Sequence, residues 1–310
     1  MVPAMVSFLF RRFAGSIIVL FFAVSLTFVL MRMTKGGPFD SEKATSDAAM
    51  QVKLARYKLD GSVWDQYRAY MGSLARFDLG VSTRYLDWRV SELLAQKMPN
   101  SIVLGGLAFL LASVGGVTLG ALAAMKQDTG VDRGAMVAAL IAISVPSFVS
   151  GPLLIAVFAL WLGWFPVGGW GTAAQMVLPA VCLGAPYLAY VARLMRNSLL
   201  DVLRSDFLRT AKAKGLGETE AVARHAVKVA ILPVVTFLGP MAAHLLTGSM
   251  VVESVFNISG AGSIFVNSIQ NKDVFLLGGA VIVYCALLLL FNFIVDVLYS
   301  ILDKRIQLYA

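Results

Sequence analysis

Charge is what this sequence has least of. Of its 310 residues 14% are Asp, Glu, Lys or Arg, while 58% are hydrophobic. Soluble domains carry roughly 25% charged residues, so this shortage points to an integral membrane protein. Histidine is almost missing, with His225 and His244 as the whole complement, and neither H-E-x-x-H nor a paired-Cys motif occurs. Metal catalysis therefore has no ligand set to work from. No G-x-S-x-G elbow supports a hydrolase, and no G-x-x-x-x-G-K-[ST] loop would let the chain hydrolyse ATP itself. The expectation is a chain that is not an enzyme, with no catalytic residue, cofactor or metal of its own. The two cysteines, Cys182 and Cys285, both fall in apolar runs and read as small packing residues, not as a disulfide.

What is abundant is apolar sequence in long runs. A hydrocarbon core of about 30 Å takes roughly 20 apolar residues per helix. Runs of that kind occupy residues 17–31, 102–125, 134–192, 229–252 and 274–295. The third is too long for one crossing. It divides at Phe165-Pro166-Val167-Gly168-Gly169-Trp170-Gly171, where turn residues meet the interfacial Trp164 and Trp170. The pattern predicts an all-α polytopic membrane protein with about six transmembrane helices. The first follows Arg11-Arg12 and has no small-residue cleavage site, so it reads as a retained helix and not a removed signal.

The net charge of +8 is unevenly spread. Residues 192–228 hold eight basic side chains (Arg193, Arg196, Arg204, Arg209, Lys212, Lys214, Arg224, Lys228) against four acidic ones (Asp201, Asp206, Glu218, Glu220), a net +4. The loop 165–175 holds none. The positive-inside rule puts 192–228 in the cytoplasm. With six spans both termini are then cytoplasmic, in keeping with Arg11, Arg12, Lys304 and Arg305. The excess charge thus speaks for a membrane surface and not for nucleic acid.

The segmentation that follows is an N-terminal span (1–33), an extracytoplasmic lobe (34–98), a five-helix core (99–302) with a cytoplasmic loop at 198–228, and a cytoplasmic tail (303–310). The lobe mixes ten basic and eight acidic residues with Tyr57, Trp64, Tyr67, Tyr70, Phe77, Tyr85 and Trp88. That aromatic content argues against disorder. It reads either as a connector or as a surface that engages an external partner. The core is rich in Gly and Pro, among them Gly105, Gly106, Gly115, Gly116, Gly120, Pro146, Pro152, Pro179, Pro186, Pro233 and Pro240. Small residues let helices approach closely in lipid, and a kinked bundle suits a transporter better than a passive anchor.

Ionisable groups inside the spans are the default functional candidates. They are His244, Glu253 near the outer end of the fifth span, and Asp296 near the inner end of the sixth. His244 reads as a packing residue or as a deep titrating site. Three such groups are few for a proton relay, so the energy for transport is expected from a partner.

One stretch offers a contact for such a partner: RTAKAKGLGETEAVARHAVKVAILP, residues 209–233. Leu203, Phe207 and Ala211 recur every fourth position, with Leu208 alongside, which describes a short amphipathic helix at the membrane surface. Gly215 suits its C-cap. Glu218 and Glu220 open the next helix, and Pro233 kinks it as it enters the bilayer. The hairpin reads as a handle that transmits a rigid-body push, or as a basic surface for anionic lipid headgroups.

The stretch resembles the cytoplasmic coupling loop of permease subunits in bacterial ABC importers. The likeness rests on Arg209-Thr210-Ala211-Lys212-Ala213-Lys214-Gly215-Leu216, followed by Arg224-His225-Ala226 and Leu232-Pro233. Arg209-Thr210 in place of Glu-Ala, and the longer reach from Gly215 to Leu232-Pro233, are habits of the dipeptide, oligopeptide and nickel branch. Leu178-Pro179, Arg193, Arg196, Ser198, Leu203 and Phe207 upstream fit the same branch. So do the downstream Gly248-Ser249-Met250-Val251-Val252-Glu253-Ser254-Val255-Phe256, the N-terminal Phe10-Arg11-Arg12 and the end of the sixth helix. The chain looks most like the B-type permeases of oligopeptide importers. Ser259-Gly260-Ala261-Gly262 departs from the usual Pro-Gly-Ile-Gly, keeping glycines expected to permit the turn.

The resemblance implies a type I importer permease fold in the bacterial inner membrane. It implies a second homologous permease, two ATPase subunits that bind ATP and Mg, and an extracytoplasmic peptide-binding protein. It also implies that a helix at 204–216 docks on an ATPase. Leu203, Phe207, Ala211 and Leu216 would set that docking. Arg204, Arg209, Thr210, Lys212 and Lys214 would flank or orient it, and Gly215 would make the turn. His244 and Glu253 are candidates for the pathway or its gating. Within the branch, nickel and glutathione importers are the alternatives. Outside it stand an ion-coupled secondary peptide carrier using His244 and Glu253, and a lipid-binding scaffold.

Overall fold

The computed structural model describes residues 2–33, 47–57, 59–85, 87–213 and 215–302. Its helices, in chain order, are α1 (Val2–Met33), α2 (Asp47–Arg56), α3 (Val63–Leu74), α4 (Val90–Met125), α5 (Gly130–Ser144), α6 (Ser147–Trp161), α7 (Ala173–Leu203), α8 (Asp206–Ala213), α9 (Val222–Ala230), α10 (Leu232–Leu246), α11 (Met250–Val255), α12 (Ala261–Gln270) and α13 (Val274–Leu302). A one-turn helix, Glu218–Ala221, leads into α9. The expected tail at 303–310 and the start of the expected lobe, 34–46, lie outside the described residues.

Among the described residues four helices are long and apolar enough to cross a membrane: Arg11–Met33 of α1, α4, α7 and Val274–Ile294 of α13. Two bent pairs raise the number to six when each is counted as one span. The first refines the sequence expectation of a single span from 134 to the turn at 165 within a kinked bundle: α5 and α6 meet at 111°. The cause is Pro146, whose ring disfavours the helical conformation of the residue before it. Val145 accordingly takes extended backbone (φ −89°, ψ 116°) and ends α5. The second pair, α9 and α10, bends by 51° at Ile231, where Pro233 stands in the first turn of α10 as expected. The run 229–252 is also interrupted. α10 stops at Leu246 and Gly248 adopts φ +91°, so the chain turns before α11.

The chain divides into two compact units, Met1–Pro99 with Gly260–Leu287 and Asn100–Ser259 with Leu288–Ala310. In the first, α3 packs on α1. Ser25 Oγ and the Tyr67 hydroxyl lie 2.8 Å apart, and Tyr70 stacks on Phe28 at 5.8 Å. Burial pushes the Tyr70 phenol up. The described part of the lobe shares a core with the spans beside it, because Val90, Leu93 and Leu94 bury against Ala261, Ile264, Leu276 and Ala280. A buried carboxylate pins its loop: Asp273 accepts from Ser82 Oγ, from the Thr83 and Arg84 amides, and from the Leu276 amide at the start of α13. Phe77, Trp64 and Trp88 stay 94%, 63% and 45% exposed. On α1, Phe13, Ile17, Phe22 and Leu26 are more than half exposed, as lipid-facing side chains of a span should be.

In the second unit α4 lies directly against α7 and α10, and glycines make the approach possible. A Cβ at Gly120 would stand 2.3 Å from the Ala192 carbonyl oxygen, and one at Gly105 would stand 2.2 Å from that of Leu245. Gly106 meets nothing within 4 Å, so it is not part of this contact. Around these crossings Leu104, Ala108, Val191, Met195, Leu199, Val234 and Leu245 are fully buried. Cys182 is buried, Cys285 is half-buried, and both thiols are free.

Candidate functional site

The surface helix is built by what stops α7. Arg204 caps it (φ −87°, ψ −5°), and Ser205 Oγ donates to the Val202 carbonyl, so the chain leaves the long helix and begins another. Asp206 opens α8, where a carboxylate favours the positive end of the helix dipole. Thr210 Oγ1 donates back to the Asp206 carbonyl at 2.9 Å. α8 therefore runs Asp206–Ala213, shorter at both ends than the expected 204–216. Leu203 closes α7 and Arg204 sits in the turn.

The residues of the expected docking face sit at different depths. Leu208 is fully buried and anchors the helix in the core of its own bundle. Leu203 and Leu216, expected to face a partner, pack half-buried on that same core. Phe207 is 46% exposed, and Arg204, Arg209 and Thr210 are exposed with it. Adjacent residues of a helix point about 100° apart, so anchoring Leu208 inward turns Phe207 out. Ala211 and Lys212 belong to α8 by their backbone, but their side chains, and the whole of Lys214, lie outside the described residues.

Gly215 adopts φ +90°, the left-handed conformation expected of a helix-terminating glycine. A Cβ there would meet nothing within 4 Å, so backbone conformation alone asks for glycine. Beyond it Glu220 and Arg224 pair at 3.0 Å across one turn. Val222 and Ala226 bury the inner face of a π-helical stretch, while His225 and Lys228 stay exposed.

The two pathway candidates differ in kind. His244 is exposed on α10, its ring 5.8 Å from that of Tyr187 on α7. Tyr190 and Phe237 meet at 4.4 Å across the same helix pair. His244 thus belongs to an aromatic stripe and is not a buried packing residue. Glu253 is 1% exposed and accepts from Ser101 Oγ at 2.6 Å. Ser249 caps α11, and the Ile258 amide donates to the Glu253 carbonyl at 2.7 Å. A Cβ at Gly248 would stand 2.7 Å from Glu253 Oε1 and 3.0 Å from Ser101 Oγ, at a backbone angle that already disfavours a side chain. Gly248→Ala is therefore expected to cost about 2 kcal/mol or more, and Gly217→Ala, whose site is open, under about 1. Thermal unfolding of the two detergent-solubilised variants checks this.

The structure joins two stretches that sequence reading treated apart. The turn 165–171 folds onto the end of the Gly248–Phe256 element: the Gly169 amide donates to the Phe256 carbonyl at 2.8 Å, and a Cβ at Gly168 would meet that oxygen at 2.6 Å. At Ser259-Gly260-Ala261-Gly262 neither glycine is left-handed. Gly260 is extended (φ −113°), Gly262 lies within α12, and Asn257 (φ +52°) carries the turn.

With this geometry in place, known proteins locate the chain. Residues 116–308 match the family of binding-protein-dependent transport system inner membrane components. The oligopeptide transport system permease protein OppB of Haemophilus influenzae is 43% identical over 98% of this chain and 100% of its own length. The dipeptide transport system permease protein DppB of Bacillus subtilis is 38% identical over 98% of this chain and 99% of its own. Among solved structures, a chain of the inward-facing MetNI methionine ABC transporter superposes with a TM-score of 0.58 at 16% identity, over 69% of this chain and 97% of that one. That likeness bears on fold, and the fold is the all-α type I importer permease fold. Membership in a family of transport subunits also explains why no enzymatic constellation is needed. The chain belongs to the binding-protein-dependent transport system inner membrane components, as a multi-pass permease subunit of an ABC importer.

Proposed function

We propose that this permease carries peptides, and that α8 is the handle by which a cytoplasmic ATPase moves it. The observation that carries the second part is the contrast within α8: Leu208 is fully buried while its neighbour Phe207 stands 46% exposed among Arg204, Arg209 and Thr210. A fixed, amphipathic projection with one bare aromatic suits insertion into a protein cleft, where aromatic anchors dominate binding. Exposed basic neighbours would orient the approach. Lipid headgroups would need the charges, but give no reason for a rigid left-handed stop at Gly215.

In this reading α8 faces the cytoplasm, with both termini on that side, by the charge bias of residues 192–228. A second homologous permease completes the pathway, two ATPases bind ATP and Mg below, and a peptide-binding protein docks outside, near the exposed Phe77 and Trp88. The aromatic stripe of Tyr187, Tyr190, Phe237 and His244 is an aromatic wall with polar edges, suited to a passing peptide. Glu253, bonded to Ser101 and enclosed, holds α11 in place and does not contact cargo. Support for peptide as cargo comes from the two relatives named above.

Reconstitution of the chain with these partners in liposomes tests the reading. ATP-dependent uptake of labelled dipeptides or oligopeptides is expected, with nickel and glutathione left outside. Uptake of nickel or glutathione instead would reassign the cargo. Gradient-driven peptide uptake by this chain alone would overturn the dependence on an ATPase.

A further inference from the structure

The α4–α5 turn and the end of α7 are tied by a two-armed ion pair. Arg196 Nε lies 2.6 Å from Asp132 Oδ1, and Arg196 Nη2 lies 2.7 Å from Oδ2. The Asp132 side chain is 3% exposed and that of Arg196 19%. Asp132 Oδ2 also accepts the Asp128 amide at 3.0 Å, fixing a turn in which Asp128 is left-handed at φ +62°. Asp132 stands in the first turn of α5, where its charge is favoured by the dipole. A guanidinium fork on a carboxylate fixes both distance and orientation, which an ammonium cannot do.

The location gives the pair its meaning. One turn before Arg196, the Ala192 carbonyl marks the tightest crossing of α7 with α4, at Gly120. Eight residues after Arg196 comes Arg204, the cap from which α8 departs, a helical distance of about 12 Å. The pair therefore sits between the rigid crossing of the bundle and the surface helix.

We propose that Asp132 and Arg196 are positioning residues that form a stiff joint, so that the last turns of α7 and the α4–α5 turn move as one body with α8. The proposal rests on the reading of α8 as the ATPase handle. Without the joint, α8 would still dock, but its displacement would be absorbed by bending of α7 beyond Ala192 and would not reach α4 and α5. ATP would then be spent without cargo moving.

The test uses the complete reconstituted transporter carrying Arg196→Lys or Asp132→Asn. Three quantities are read: photocrosslinking of an aromatic photoreactive amino acid at position 207 to the ATPase, and, in the transporter that keeps Phe207, ATP hydrolysis stimulated by the binding protein and peptide uptake. The joint predicts unchanged crosslinking and continuing hydrolysis, with uptake per ATP lowered roughly tenfold, within the range of typical coupling energies. Combining the two substitutions should cost no more than the larger single one, as for residues acting as a unit. Normal uptake per ATP in either single variant overturns the joint. Loss of the crosslink together with uptake also overturns it, since the pair would then merely support the fold around α8. If neither single variant accumulates in the membrane, Asp132→Asn/Arg196→Gln, with both charges removed, is read the same way. Absence of the crosslink in the unsubstituted transporter is a different result: it removes the docking reading itself.

Discussion

Phe207→Asp is expected to lower peptide uptake by roughly thirty-fold or more while the chain inserts and accumulates normally, because loss of a buried aromatic anchor typically costs at least about 2 kcal/mol of docking energy. Normal accumulation follows from the 46% exposure of Phe207, which gives the isolated chain little to lose. Leu208→Asp should behave oppositely. Its side chain is fully buried, so a carboxylate there should cost folded protein before docking can be measured. Arg209→Ala should cost less than Phe207→Asp, since Arg209 is exposed and its partner Asp206 lies 3.6 Å away in solvent. Uptake in liposomes, normalised to inserted protein, separates the three.

Gly120→Val is expected to abolish the folded chain. A Cβ at that position would lie 2.3 Å from the Ala192 carbonyl oxygen, more than about 1 Å inside contact distance, and the obstacle is helix backbone that cannot rotate away. Overpacking usually costs about 1–3 kcal/mol where side chains can yield. Here α4 must withdraw from α7, and every contact along that crossing loosens with it. Gly106→Val is the matched control, because a Cβ there meets nothing within 4 Å. Size-exclusion profiles of the two variants in mild detergent should show a monodisperse peak for Gly106→Val and aggregate for Gly120→Val.

Sequence reading reached the architecture because lipid imposes it. Apolar runs near 20 residues, divided by Pro and Gly, leave few arrangements for a helical chain, and the φ of +90° at Gly215 follows from its place after a short amphipathic helix. Local chemistry alone was insufficient at three places. Pro146 is plain in the sequence, but whether a proline kinks a span or breaks it at 111° depends on whether neighbours satisfy the freed backbone, which composition does not encode. The depth of each apolar residue around α8 is not legible locally, because Leu203, Phe207 and Leu208 are equally apolar on paper. Tertiary contact selects Leu208 as the anchor and leaves Phe207 out. The bond between Asp132 and Arg196 spans 64 positions, and Asp132 lies just outside the apolar run that begins at residue 134, so nothing local marks it. The partner of a buried charge is a property of the fold.

α8 is expected to meet an ATPase through Phe207. A photoreactive amino acid placed at 207 or at 208 in the assembled, membrane-embedded transporter addresses it most directly. Illumination should attach the ATPase subunit at position 207, and only this chain itself at the buried position 208. Label at 207 confined to phospholipid, with the ATPase bound but unmodified, would mean that the basic hairpin is a membrane anchor and that the handle lies elsewhere.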